Sequence, residues 1–128
     1  MAIKRLPDAE LEVMQAIWAL GGESTSAQII ARLEGKKDWA KTTVLNFLIR
    51  LTDRGFIATR RQGKGNIYTP VIDEETYLAA ESASFLQRVH GNSITSLVTA
   101  LYGGKAISNE DLDELQQFIN DRGAGDGR

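Results

Sequence analysis

Residues 41–70 read KTTVLNFLIRLTDRGFIATRRQGKGNIYTP, and a change of period inside this stretch decides the fold. Val44, Phe47, Leu48 and Leu51 fall at i, i+3, i+4, i+7, the spacing of one buried face on a helix over about Lys41–Arg54. Thr42, Asn46, Arg50 and Asp53 project on the opposite side, with Thr43 at the flank. Leu45 and Ile49 lie at the margins of that side and are expected to complete a wide core against two neighbouring helices. Contact of Leu45 with a thymine methyl group is the alternative. Gly55 is the stop. Beyond it the helical period is lost. Phe56-Ile57-Ala58-Thr59 and Ile67-Tyr68-Thr69 are rich in β-branched and aromatic residues and read as two short strands. Arg60 to Asn66 is a basic, glycine-containing hairpin loop between them, and Pro70 limits the second strand.

Two helices precede this stretch. Leu11, Met14, Ile17 and Trp18 share one face of a helix over Asp8–Leu20, opened by Pro7 and Asp8 and stopped by Gly21-Gly22. Ile29, Ile30 and Leu33 give the apolar face of a second helix from about Ser26, with Ser24, Thr25 and Ser26 as capping hydroxyls. Three more helices follow. A long one over Asp73–His90 places Leu78, Phe85, Leu86 and Val89 on one side, and Gly91 ends it. Ile94, Leu97, Val98 and Leu101 repeat at helical spacing up to Gly103-Gly104. Ser108 caps the last helix with Asp111 at its third position, Ile107 is placed to staple onto Leu112, and Leu112, Leu115 and Ile119 form its face. The tail from Gly123 to Arg128 is expected to be disordered.

The order of elements predicts a mainly α chain with a small β-hairpin: a winged helix-turn-helix over residues 1–72, a helical region over 73–122 and a tail over 123–128. The hairpin is marginal alone and must pack on the helices. The 50 residues of the helical region are thin for an independent core, so their apolar faces are expected to meet a second copy of the chain. That assigns homodimer contacts to Leu78, Phe85, Leu86, Val89, Ile94, Leu97, Val98, Leu101, Leu112, Leu115 and Ile119.

Composition excludes several classes. At 128 residues the chain is too short for a large barrel. With no cysteine it has no disulfide, thiolate metal site or Cys nucleophile. The one histidine, His90, sits at a helix end, where the dipole accounts for it. No catalytic residues, metal site or cofactor are expected. No apolar run reaches a membrane span and no charged-then-apolar leader opens the chain, so the expectation is a cytoplasmic protein without membrane contact. The net charge of −2 hides an asymmetry: residues 1–72 hold 11 Lys+Arg against 7 Asp+Glu, and residues 73–128 hold 4 against 10. Residues 32–64 alone hold 9 basic against 3 acidic side chains, a local polyanion footprint or a solvated charged face.

In a helix-helix-helix-hairpin frame the footprint points to double-stranded DNA. Lys41, Thr42, Thr43, Asn46 and Arg50 belong to the helix that would enter a major groove, with Asn46 suited to an adenine edge. Arg60, Arg61 and Lys64 form the wing, and Arg54 lies near phosphate. Thr25 and Ser26, at the start of the second helix, are candidate phosphate contacts. A symmetric dimer would present two such helices to a pseudopalindromic operator, as a transcriptional repressor. The other reading is a winged-helix protein-interaction module without DNA binding.

Several ordered stretches resemble the penicillinase repressor family of the BlaI/MecI type: Leu6-Pro-Asp-Ala-Glu-Leu-Glu-Val-Met14 leading to Trp18, Trp39-Ala-Lys-Thr-Thr-Val44 leading to Arg50-Leu51, Gly55-Phe-Ile57 and Tyr68-Thr-Pro70. The resemblance spans about residues 5–120. It implies a dimeric winged-helix repressor whose C-terminal helices form the dimer, with Thr42, Thr43 and Asn46 at presented positions of the recognition helix and Arg60, Arg61 and Lys64 in the wing. It also raises a regulatory protease as a partner. Members relieved by proteolysis carry Asn-Phe after a Ser-Leu-Val-like run, where this chain has Ser96-Leu-Val98 followed by Thr99-Ala100-Leu101. Copper-responsive members use C-terminal cysteines, which this chain lacks.

Overall fold

The computed structural model of the chain describes residues 3–125. The elements run α1 (Asp8–Leu20), β1 (Ser24–Thr25), α2 (Ser26–Leu33), α3 (Lys41–Asp53), β2 (Ile57–Gln62), β3 (Gly65–Pro70), α4 (Glu74–His90), α5 (Ile94–Gly103) and α6 (Asn109–Gly125). They fall into two compact units, Met1–Glu81 and Ser82–Arg128. The division lies inside α4, so the first unit runs nine residues beyond the expected boundary at residue 72. Of the tail expected to be disordered, residues 123–125 continue α6 and residues 126–128 lie outside the described residues. No helix of the described residues is long and apolar enough to cross a membrane.

The first unit is a three-helix core closed by a three-stranded sheet of order β1-β3-β2. Val13, Met14 and Ile17 of α1, Ile29 and Leu33 of α2, and Val44, Leu48 and Leu51 of α3 meet in its centre with Phe56, Ile57 and Tyr68. On α1 the burial is centred on Val13, with Leu11 and Trp18 at its edges rather than on its axis. The helix α3 ends in a Schellman turn. The Phe56 N–H donates to the Leu51 carbonyl at 3.0 Å, the Gly55 N–H to the Thr52 carbonyl at 3.1 Å, and Gly55 takes a φ of 81°.

The third strand was not legible in the sequence. Ser24 pairs with Tyr68 and Thr25 with Ile67, antiparallel. Two residues show no period, and they pair only because β3 is already held alongside β2. The hairpin is also tighter than the loop expected over Arg60–Asn66. Strand pairing continues to Gln62 opposite Gly65, which leaves Gly63-Lys64 as a two-residue turn. Gly63 adopts a φ of 61° at the first central position, as a type II′ turn requires.

The first turns of α4 belong to this unit. Tyr77 is buried between Trp18 and Phe56, with ring centroids 5.8 and 5.7 Å away. Its hydroxyl accepts a hydrogen bond from the buried Leu6 N–H at 2.9 Å, and the Trp18 indole N–H donates to the Ile72 carbonyl at 2.9 Å. Asp73 caps α4 by accepting from the Thr76 N–H at 2.8 Å, and hydrogen bonding by the Thr76 side chain and backbone holds its carboxyl below the usual value.

A second fastening involves charge. Glu10 is buried on α1, with 3% of its side chain exposed, and its Oε1 lies 3.4 Å from Nε of Arg54, the residue that ends α3. The contact is ionic only, since no donor reaches that oxygen with hydrogen-bond geometry. It fixes the far end of α3 to α1.

In the second unit, Ser93 caps α5 by accepting from the Ser96 N–H, and Ser108 and Asp111 form the expected reciprocal box at the start of α6. His90 meets Ser96 through Nδ1 at 2.9 Å. Among the described residues from 82 onward no side chain is fully buried.

Two stability predictions follow from these fastenings. Tyr77→Phe strands the Leu6 N–H and should cost about 1–3 kcal/mol in urea denaturation, and Tyr77→Ala about 3–5 kcal/mol. Arg54→Ala should cost about 2 kcal/mol by leaving Glu10 buried and alone. That is below the 3–5 kcal/mol of fully buried pairs because Arg54 still touches water. Replacing both charged groups by methionine should recover most of that loss, whereas a thermodynamically silent Arg54→Ala would deny the fastening.

Candidate nucleic-acid interface

Burial of Val44, Leu48 and Leu51 sets the rotation of α3 and turns the opposite side outward. Lys41, Thr42, Leu45, Asn46, Ile49 and Arg50 are all exposed, and Thr43 is half-buried at the flank. Thr42, Leu45, Asn46 and Ile49 stand at i, i+3, i+4, i+7, one continuous stripe. Here the expectation for two aliphatics fails. Leu45 is 38% and Ile49 59% exposed, so neither completes a core. The signal was in the spacing only in part: at about 100° per residue Ile49 lies nearer the direction of Thr42 and Asn46 than that of Val44 and Leu48, and Leu45 lies midway between the two.

Strand alternation sorts the wing. Ile57 and Tyr68 are buried, Ser24 is buried, and Thr59 shares a 2.7 Å hydroxyl contact with Thr52 of α3. These four lie on the sheet face that packs against the helices. With a period of two, Arg61 and Asn66 share that face, and Arg60, Gln62 and Ile67 occupy the other. A cleft of about 180 Å³ separates α3 from this inner face, lined by Leu48, Ile49, Thr52 and Asp53 on one side and Thr59, Asn66 and Tyr68 on the other. Arg61 thus extends the side of the wing that faces the α3 stripe. Asn66, half-buried in the cleft, was not among the expected site residues, and only the register reveals it.

The cations divide accordingly. Arg60 Nη2 lies 2.6 Å from Oε2 of Glu23, and its Nη1 donates to Gln62 Oε1 at 2.9 Å. Glu23 precedes β1, so the pair ties the back of the wing to the edge strand across β3. Arg54 is held by Glu10. Arg50 stacks over Phe47, 5.8 Å from the ring centroid, and Phe47 in turn packs on Trp39. Among the described residues Lys41, Arg61 and Lys64 have no ion-pair partner.

At α2, Thr25 is the N-cap. Its hydroxyl accepts from the Gln28 N–H at 3.2 Å, and its own N–H donates to Gln28 Oε1 at 2.8 Å. This capping box occupies the Thr25 hydroxyl that was a candidate phosphate ligand, and Ser26 stands half-buried in the first turn. The Thr25-x-x-Gln28 spacing was the signal for it. Glu23 had no local signal at all, since its partner lies 37 residues away.

Comparison with known proteins bears on this geometry. The penicillinase repressor family model matches residues 6–121. The penicillinase repressor of Bacillus licheniformis is 33% identical over 119 residues, covering 93% of this chain and 92% of that protein. The methicillin resistance regulatory protein MecI of Staphylococcus aureus strain N315 is 27% identical over 115 residues, covering 90% and 93%. Among solved structures, the DNA-binding domain of the repressor BlaI superposes with a TM-score of 0.52 at 35% identity, over 60% of this chain and 94% of that one. Monomeric Bacillus licheniformis BlaI in complex with the blaP half-operator gives a TM-score of 0.50 at 35% identity, over 59% and 90%.

Proposed function

The chain belongs to the penicillinase repressor family of DNA-binding transcriptional repressors, and on that premise we propose that two copies bind a two-fold operator and repress by occupying a promoter. The carrying observation is the outward stripe of α3, where Thr42 and Asn46 stand exposed between Lys41 and Arg50 while the opposite stripe is buried. A helix so presented fits a major groove. Asn46 accepts from and donates to an adenine edge, Thr42 and Thr43 meet bases or the adjoining backbone, and Lys41 and Arg50 meet phosphate. The relative bound to its half-operator supports the same use of the shared fold.

The wing takes the flanking backbone through Arg61 and Lys64. Arg60 acts first as a strap to Glu23, and Arg54 stays with Glu10, so four cations per protomer remain for phosphate. Thr25 and Ser26 contribute through the α2 N-terminus, whose backbone N–H groups suit a phosphate oxygen.

The region from Ser82 onward is read as the dimerisation unit. Phe85, Val89, Ile94, Leu115 and Ile119 are exposed in the single chain, and Leu86, Leu97, Val98, Leu101 and Leu112 are half-buried; Leu78, also exposed, falls in the first unit. A unit that buries none of its apolar side chains alone gains them a core by two-fold pairing. Relief of repression by cleavage at Ala100-Leu101 is not part of this reading. Both carbonyls accept helix-end hydrogen bonds, from the N–H groups of Gly104 and Ala106, and a protease needs extended backbone.

Sedimentation equilibrium should return a dimer, and a gel shift with fragments of its own genome should recover a specific site. Eight phosphate contacts per dimer give a log–log salt slope of about −7. Lys64→Ala should lower that slope by about 2 and weaken all duplexes alike. Asn46→Ala should instead cost about 1–3 kcal/mol on the operator and little on random duplex. A folded dimer that shifts no duplex at moderate salt would sink the reading.

A further inference from the structure

Half of the outward α3 stripe is aliphatic, and polar recognition does not account for it. Leu45 and Ile49 lie on the same face as Thr42 and Asn46, at 38% and 59% exposure. Among the described residues of the first unit nothing covers them, and burying Ile49 fully against the helices would turn Val44 outward instead. Cations flank the stripe: Lys41 at its start, Arg50 beside Ile49, and Arg61 on the facing side of the wing. An apolar protein surface does not match that rim, and a polyanion does. In a major groove the exposed apolar group on a base-pair edge is the thymine C5 methyl.

We propose that Leu45 and Ile49 are specificity residues that read thymine methyl groups, in a half-site where Asn46, between them, reads adenine. The proposal rests on the DNA-binding reading above and deepens it to the base composition of the site. Four residues of helix separate Leu45 from Ile49 by about 6 Å along the axis, which is close to two base-pair steps. The two methyls therefore belong to thymines about two pairs apart. Ile49 also lines the cleft beside Asn66 and Thr59, so its methyl lies toward the wing and that of Leu45 toward the start of α3.

The test removes the methyl and nothing else. An operator is selected from a randomised duplex pool with the full chain, and each thymine is then replaced by deoxyuridine, which keeps its pairing. Affinity is read by fluorescence anisotropy at fixed salt. For each half-site, one or two positions should weaken binding about fourfold, or about 15-fold when both half-sites are changed together. Ile49→Ala and Leu45→Ala should lose a similar factor on the thymine duplex, and each should become insensitive to uracil at its own position. Both side chains are exposed, so helicity by circular dichroism should not change. Uracil without effect at every position overturns the proposal and leaves the repressor reading standing. Uracil sensitivity that persists undiminished in both variants overturns it too. Failure to bind any duplex overturns both readings.

Discussion

The rotation of α3 about its own axis is fixed by three side chains, Val44, Leu48 and Leu51, each buried against α1, α2 and the sheet. Burying each of them is worth about 1.5–3 kcal/mol. Turning the helix by half a revolution would expose all three and take Thr42 and Asn46 out of water without partners, a further cost for each group. What α3 presents on its outward side therefore follows from core packing. The Schellman turn at Gly55 and the Glu10–Arg54 contact then hold its far end. The side of α3 that Thr42 and Asn46 occupy is thus set by residues on the opposite side of the helix.

Charge is organised by the same logic of faces. The basic count over residues 32–64 suggested one positive patch, but strand alternation and two carboxylates break it up. Arg60 turns to the back of the wing and meets Glu23, and Arg54 turns inward to Glu10. Lys41, Arg50, Arg61 and Lys64 remain on or near the side that α3 presents. An exposed pair such as Glu23–Arg60 contributes between nothing and about 1 kcal/mol to stability. Its consequence is directional: it draws Arg60 toward the edge strand and away from Arg61 on the opposite face of the wing.

The second unit illustrates a limit of size. Its helices are capped by local devices, Ser93 for α5 and the Ser108–Asp111 box for α6, and they are amphipathic. Capping fixes where a helix starts, not what covers its apolar side. A unit of this length is thin for a core of its own, and its aliphatic and aromatic side chains stand exposed or half-buried.

Much of this was legible in order along the chain. Periodicity placed five of the six helices within a residue or two and fixed the buried stripe of α3. Glycines and hydroxyls marked the stops and caps, and the switch from a period of 3.6 to β-branched runs marked the hairpin. All of these signals are local, because a helix turn, a cap or a two-residue turn is decided by neighbours a few positions apart. Tertiary structure alone decided that Ser24-Thr25 is a strand, that Glu23 holds Arg60, that Glu10 is buried against Arg54, that Tyr77 of α4 completes the core of the first unit, and that Leu45 and Ile49 face outward beside Asn46. In the first four cases the partner lies far along the chain, where a sequence has no period to expose it. In the last, the spacing carried part of the signal, but apolar residues are so commonly buried that only the packed helix shows which side they take.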